Sequence, residues 1–215
     1  ALLVYTSSWL KCHHPAAFYC GLLNSLPMGF YSASQLIQDA RRHGILCLPL
    51  DVAHSNWDHQ LECAEDNQEQ TTQPALRLGL RLTKGLSKAN AEKITHARAH
   101  SDQTLHSLAQ FKQQTGLNAQ ALEQLAAANA LGSLTQHRYD AHWQVQAIEQ
   151  ELALFPSDTL AIDDSDSQIA EPSAIDTTLA DYRHTGLTLN QHPMSLLRQQ
   201  PPFHRCLRAS DLFQV

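Results

Sequence analysis

Apolar residues recur at three- and four-residue spacing along most of the chain, and this spacing predicts a mainly helical fold. Pro15 suits the first turn of a helix, Ser34 is a candidate N-cap, and Gly44 is suited to end a helix. Phe18, Leu22 and Leu23 are expected on the inner face of the second helix. The predicted helices cover residues 1–14, 15–24, 34–43, 88–99, 103–114, 119–129, 136–154 and 194–198.

Two other patterns interrupt the helical spacing. Leucines alternate with other residues from Leu76 to Thr83, and this period of two predicts a β-strand. Residues 45–52 are expected to be extended, but Pro49 favours an edge strand or an irregular connection. Residues 65–73 are polar and predict a loop. Residues 156–180 are acidic and rich in Pro, Ser and Asp, which is typical of a poorly ordered linker.

Composition narrows the class of protein. The 215 residues are 43% apolar, enough for one large domain or two small ones. No run approaches the roughly 20 apolar residues of a membrane span. Five scattered cysteines favour a reducing, cytoplasmic setting with free thiols. The chain begins inside an apolar run without an initiator Met or a basic leader, so we interpret it as part of a longer protein.

The net charge of −6 hides a strong charge pattern. Residues 1–75 carry 3 basic and 7 acidic side chains, and residues 146–181 carry 9 acidic side chains and no basic ones. Residues 76–145 instead carry 8 basic and 4 acidic side chains, a net charge of +4. A basic block within an acidic chain is where a polyanion would bind, although clustering on a solvated face explains it equally well.

The basic block contains a segment, residues 82–94, that resembles a helix-hairpin-helix element. A tight turn between two short helices brings backbone N–H groups and a helix N-terminus to the surface, and both suit a phosphate. Such an element holds the DNA backbone without reading bases. Ser87 replaces the usual second glycine and is a good N-cap. The candidate DNA-binding residues are Lys84, Gly85, Leu86, Ser87, Lys88 and Lys93.

A second copy of the pattern lies about thirty residues later. Gly116 and Asn118 flank Leu117, and the helices on either side carry apolar faces. Only Lys112 adds positive charge nearby, so this copy is expected to pack against the first more than it grips DNA. Gly116 and Asn118 remain candidate DNA contacts. The alternative for both segments is an ordinary helical bundle with glycine turns.

Longer segments resemble bacterial C-family DNA polymerases, and in particular the error-prone, DnaE-like branch. The matching segments lie in one order along nearly the whole chain: residues 8–25, 28–32, 39–44, 49–52, 78–85, 122–131 and 186–193. The resemblance implies that residues 1–75 end the fingers, 76–145 form a tandem helix-hairpin-helix domain, 146–185 are an acidic linker, and 186–215 lead to an OB domain beyond the chain.

The same resemblance implies a parent enzyme that extends DNA primers in translesion synthesis. Its catalytic carboxylates and Mg²⁺ ions would lie in a palm domain upstream of this chain. This chain would therefore hold duplex DNA and carry no catalytic residue or cofactor. Asp164 and Asp166 have the spacing of a catalytic pair, but they lie in the polar linker.

Residues 151–155 resemble the peptide by which bacterial polymerases bind the sliding clamp. Leu154 and Phe155 are candidates to fill an apolar pocket of the clamp, with Glu151 and Leu152 completing the motif. Glu151 replaces the expected Gln, which favours packing of Leu152 and Phe155 within the chain itself. The alternative to DNA binding is a helical protein-interaction module that docks the polymerase to the clamp or to mutagenesis partners.

Two histidine clusters suggest metal sites only weakly. Cys12, His13, His14 and Cys20 do not have the spacing of structural zinc sites. Glu92, His96 and His100 share one face of a predicted helix. A solvated or DNA-facing stripe explains them as well, so no metal site is predicted.

Overall fold

The computed structural model describes residues 2–63, 73–100, 107–149, 169–198 and 200–206, and these ranges are mainly helical. The mainly α fold class with a small β-element is confirmed. The helices are α1 (Leu2–His13), α2 (Pro15–Asn24), α3 (Ala33–Arg42), α4 (Lys88–His100), α5 (Leu108–Thr115), α6 (Ala119–Ala127), α7 (Arg138–Glu149), α8 (Ala174–His184) and α9 (Pro193–Leu197), with 3₁₀ helices at Leu80–Leu82 and Phe203–Arg205. No helix in these ranges is long and apolar enough to cross a membrane.

A three-stranded sheet joins the first three helices to the rest. Its strands are β1 (Cys47–Leu48), β2 (Gln60–Glu62) and β3 (Ala75–Arg77), in the order β1-β3-β2. β1 pairs parallel to β3 with Cys47 opposite Leu76, and β2 pairs antiparallel with Leu61 opposite Leu76. The edge position predicted for the segment containing Pro49 is confirmed.

The strand predicted over residues 76–83 is wrong beyond Arg77. Residues 80–82 form a 3₁₀ helix, although Leu78 and Leu80 are buried as the alternation suggested. The chain turns away where Gly79 passes over another loop: a Cβ there would lie 2.5 Å from the backbone of Trp57 and Asp58. Glycine is therefore needed at the point where the strand gives way to the 3₁₀ helix.

Most helix ends follow the local signals, with one correction. Pro15 begins α2, and Gly44 follows α3 with φ of +77°. The N-cap of α3 is Ser32, not Ser34: the Ser32 side chain accepts from the Gln35 N–H at 3.3 Å, and the Gln35 side chain accepts from the Ser32 N–H at 3.0 Å. This reciprocal capping box satisfies two backbone donors at once.

The buried face of α2 also differs from the prediction. Ala16, Tyr19 and Leu23 are fully buried, whereas Phe18 and Leu22 are only partly buried at the edge of the core. One hydrophobic cluster runs from α2 through β3 and α4 to α7 and includes Leu187.

The linker predicted over residues 156–180 is wrong at its end, because α8 begins at Ala174. Ser173 caps this helix by accepting from the Asp176 N–H at 3.2 Å. α8 is bound to α7 through Arg138, whose side chain is 4% exposed and pairs with Asp181 at 2.5 Å. Arg138 also donates to the Thr177 carbonyl at 3.1 Å. Residues 151–168 lie outside the described ranges, as does most of the predicted 65–73 loop.

Candidate nucleic-acid interface

The first predicted hairpin is a compact turn between the Leu80–Leu82 3₁₀ helix and α4. Gly85 adopts φ of +87°, and the Leu86 N–H donates to the Thr83 carbonyl at 3.3 Å. The Leu86 side chain is 6% exposed and anchors the turn in the core. Lys84, Gly85, Ser87 and Lys88 are exposed around it. The turn is therefore fixed from inside and presents its other residues to solvent.

Ser87 acts as the N-cap of α4 in place of the second glycine of the pattern. Its hydroxyl accepts from the Asn90 N–H at 3.2 Å, and its carbonyl accepts from the Ala91 N–H at 3.2 Å. Within the described ranges, nothing accepts from the N–H groups of Lys88 and Ala89. These two exposed residues place unpaired donors at the positive end of the α4 dipole, which is the geometry that binds a phosphate.

The three lysines around this turn have different surroundings. Lys93 is exposed and makes no ion pair or hydrogen bond with the described residues. Lys88 lies 3.8 Å from Glu92, and both side chains are 65% exposed, so this pair is weak in water. The Lys84 ammonium donates to the carbonyls of Tyr182 at 3.2 Å and Arg183 at 2.7 Å.

Lys84 therefore caps the C-terminal end of α8, whose free carbonyls carry partial negative charge. Its backbone N–H also donates to the His184 carbonyl at 2.9 Å. An ammonium has three donors, so one stays available to another ligand. This contact could not be predicted from sequence, because its partners lie 98 and 99 residues further along the chain.

The second hairpin connects α5 and α6 through a glycine turn, as predicted. Gly116 adopts the left-handed conformation at φ of 58° and ψ of 32°, and its N–H donates to the Lys112 carbonyl at 2.9 Å. Leu117 is buried, and Asn118 caps α6 by accepting from the Ala121 N–H at 3.0 Å. Gly116 and Asn118 are exposed at the turn. The Lys112 ammonium is bound to the Ile148 carbonyl at 3.2 Å.

The two hairpins are in contact through Gln124 on α6. A Cβ added to Gly85 would lie 2.6 Å from the Gln124 side-chain nitrogen. Glycine is favoured at position 85 both by its positive φ and by this approach. The expectation that the second copy lies against the first agrees with this contact.

Most of the basic block stabilises the fold. Arg77 forms a bidentate pair with Glu62 at 2.8 and 2.9 Å. Arg81 donates to the Asn24 and Leu26 carbonyls, and to Asp58. The other cations bound within the protein are Arg98, Lys112 and Arg138. Lys84 is bound to the end of α8 as well, so of the eight cations in residues 76–145 only Lys88 and Lys93 lack a strong contact with other described residues. The net charge of the block therefore overstates the charge available to a ligand.

Other candidates fall outside the interface. The clamp-like residues Glu151, Leu152, Leu154 and Phe155, and the pair Asp164 and Asp166, lie outside the described residues. Within those described, no group of three or more His, Cys, Asp or Glu side chains is placed to hold a metal ion.

The histidine clusters instead make local contacts. The His96 and His100 rings stack at 4.0 Å between centroids. His13 and His14 lie against the Trp9 ring, while the Cys20 thiol donates to the His59 carbonyl at 3.3 Å. All five cysteines are free.

The fold and the paired turns agree with a family model. Residues 44–141, which include both hairpins, match the model described as a helix-hairpin-helix motif. The matched region begins before β1 and ends in α7. It therefore takes in the sheet that positions the first turn as well as the two turns themselves.

Curated relatives match the whole chain. It is 47% identical over 213 residues to an error-prone DNA polymerase of Teredinibacter turnerae, covering 99% of this chain and 20% of that protein. Error-prone DNA polymerases of Saccharophagus degradans and Pseudomonas aeruginosa are 43% and 46% identical over 100% of this chain and 20% of their own length. The resemblance to the error-prone branch is confirmed, and the chain spans about a fifth of these relatives.

Proposed function

We propose that this chain is the non-catalytic, duplex-DNA-binding portion of an error-prone DNA polymerase that acts in translesion synthesis in the cytoplasm. In this proposal residues 1–75 end the fingers and residues 76–145 form the DNA-binding domain. The polymerase chemistry, with its Mg²⁺ ions, belongs to a palm outside this chain. The similarity to error-prone DNA polymerases and the matched helix-hairpin-helix region support the proposal.

The observation that carries the proposal is the surface at the start of α4. Two unpaired backbone N–H groups, at Lys88 and Ala89, begin α4 next to the exposed Lys88 side chain, and exposed Lys93 lies four residues after Ala89 on the same helix face. A DNA phosphate at this helix end would accept from the amides and lie near both ammonium groups. These contacts involve only the sugar-phosphate backbone, so binding would not depend on base sequence.

A protein-docking role is the second candidate function, and α1 is the observation that favours it. Leu2, Leu3, Val4 and Tyr5 are 69–83% exposed, and no residue of α1 is buried. Contiguous exposed apolar side chains are typical of a surface that is covered in the whole protein, either by a partner or by another part of the parent polymerase. This role does not use the first turn, so the two functions can be separated by mutation.

Salt-dependent binding to a duplex tests the DNA role. A site that neutralises three phosphates should give a log–log salt slope of about −2.7, and loss of one contact should reduce its magnitude by about 0.9. We expect Lys93→Ala and Lys88→Ala each to weaken binding by about fivefold on any DNA sequence. Arg42→Ala is the matched control, because Arg42 is an exposed cation on α3 away from the turn.

If Arg42→Ala loses as much affinity for DNA as Lys93→Ala, the loss reflects the overall charge of the chain and not a contact at the first turn. A duplex affinity with no salt dependence, or no binding at all, would contradict the proposal and favour the docking role. Thermal unfolding of each variant confirms that the comparison is made between folded proteins.

A further inference from the structure

A cavity of about 690 Å³ lies between the α2–α3 connection and the 3₁₀ helix that leads into the first turn. Its volume is within the roughly 300–1,000 Å³ of small-molecule sites. The cavity is not part of the DNA-binding surface proposed above, and the side chains of the hydrophobic core do not fill it. Its lining includes Leu23, Met28, Phe30, Tyr31, His59 and Leu82.

One lining residue, His59, carries an unpaired hydrogen-bond donor that the surrounding side chains cover in this structure. His59 is 3% exposed, and its Nδ1 accepts from the Gly79 N–H at 3.2 Å. The imidazole is neutral near pH 7, because burial and then the Arg81 charge lower the pKa of His59 to about 4. The proton of the neutral ring is therefore on Nε2, and Nε2 has no partner in the described ranges. A buried donor without an acceptor is costly, so a ligand that supplies an acceptor gains affinity here.

The outer rim of the cavity is aromatic. Phe30 is 90% exposed and Tyr31 is 60% exposed, directly after Gly29 with φ of +80°. Exposed aromatic faces of this kind stack on unpaired nucleobases. The inner wall is apolar, with Leu23 fully buried and Met28 partly buried.

The charge in the lining is already neutralised. The Arg81 guanidinium donates to the Asn24 carbonyl at 2.8 Å, to the Leu26 carbonyl at 3.0 Å and to Asp58 at 3.0 Å. The lining therefore favours a flat, neutral ring with an acceptor at its edge over a phosphate group. A nucleobase has these properties.

The geometry points to this cavity as a site for one unpaired nucleobase of a DNA strand that leaves the duplex held at the first turn. The site rests on the proposed function, since it is the duplex that brings the strand to it. Leu82 lines the cavity, and Lys84 lies only two residues further along the chain. Phe30 and Tyr31 would stack on the base, and its edge would accept from His59 Nε2 once the side chains that cover this nitrogen move aside.

Fluorescence of 2-aminopurine tests the assignment on the full 215-residue chain. One DNA has a single-stranded extension with 2-aminopurine at the first unpaired position, and the other is a blunt duplex of equal paired length. We expect the chain to quench the extended DNA and to bind it at least about fivefold more tightly than the blunt duplex, as stacking of one base predicts.

Variants locate the effect. The double variant Phe30→Ala/Tyr31→Ala should lose the quenching and the preference for extended DNA while its affinity for the blunt duplex is unchanged. Both side chains are exposed, so its thermal unfolding should match that of the parent chain. Trp143→Ala is the matched control, because Trp143 is 52% exposed on α7 and does not line the cavity.

The outcomes separate the two proposals. Equal binding of both DNAs without quenching overturns the nucleobase site and leaves the duplex role standing. Failure to bind either DNA overturns both. Retained quenching in the double variant also overturns the site, because stacking then occurs elsewhere.

Discussion

The two hairpins share a backbone design but differ in what surrounds them. Each has a positive-φ glycine, a buried leucine after it, and a polar N-cap that begins the next helix. The first turn is bordered by Lys84, Lys88 and Lys93, whereas Lys112, the cation near the second turn, is bound to the end of α7. The glycine turn thus sets the geometry, and exposed cations decide whether that geometry suits DNA.

The two hairpins are also held to the rest of the chain in a similar way. Lys84 donates to the carbonyls at the end of α8, and Lys112 donates to a carbonyl at the end of α7. In both hairpins one lysine therefore caps a later helix. At the first hairpin, Lys88 and Lys93 remain for a ligand after Lys84 is engaged.

The largest expected effect concerns acid stability, because His59 is buried beside Gly79, just before the first hairpin. The folded-state pKa of His59 is about 4, below its ordinary value of 6.5. The unfolded chain therefore binds more protons between these values, and stability present above pH 6.5 is lost as the pH falls towards 4. The full shift corresponds to roughly 3 kcal/mol. Urea unfolding at pH 7.5 and pH 4.5 measures the loss.

His59→Gln isolates the contribution of this residue. Burial also lowers the pKa values of His142 and His184, so these residues add to the loss in the same pH range. Glu62 and Asp39 have lowered pKa values too, owing first to hydrogen bonds from Arg77 and Lys11, and they lose stability at still lower pH. The variant should therefore show a smaller loss between pH 7.5 and 4.5. An identical loss in the variant would show that His59 is not the responsible group.

The two turn glycines should differ in their tolerance of a side chain. Both Gly85 and Gly116 have positive φ, but a Cβ meets Gln124 at position 85 and open space at position 116. We expect Gly85→Ala to cost about 2 kcal/mol of unfolding free energy and Gly116→Ala about 1 kcal/mol. Combining Gly85→Ala with Gln124→Ala should remove the difference between the two sites. Equal costs in the single variants would mean that Gln124 moves aside freely.

The smallest effect is expected for the two capping lysines. Lys84→Ala and Lys112→Ala should each cost about 0.5–1 kcal/mol, because each removes a cation that hydrogen-bonds to helix-end carbonyls. Hydrogen exchange should rise in α8 for the first variant and at the end of α7 for the second. Exchange that rises equally in both helices in either variant would contradict the separate capping roles.

Local sequence signals were sufficient where the structure depends on local contacts. Pro15, Gly44, Gly116 and Asn118 begin, end or connect helices as expected, and the edge strand at Cys47–Leu48 follows from Pro49. The fold class and both hairpin positions could therefore be predicted. Where two candidate N-caps lie close together, at Ser32 and Ser34, the local signals indicated the wrong one.

Long-range contacts explain the remaining errors. The predicted strand ends early, where Gly79 meets the loop at Trp57 and Asp58. Acidic composition concealed α8, although Ser173 and Asp176 have the spacing of a helix start, and its partner Arg138 lies in another helix. Sequence charge could not show that six of the eight cations are bound internally, because that depends on residues far apart in the chain.

Amide chemical shifts during titration with a short duplex test the central claim most directly. The account predicts that the largest changes occur at Ser87, Lys88 and Ala89, with smaller ones at Asn118 and the start of α6, and that Lys93→Ala weakens the response. Changes centred on the second turn or on α1, or no change at the start of α4, would contradict it.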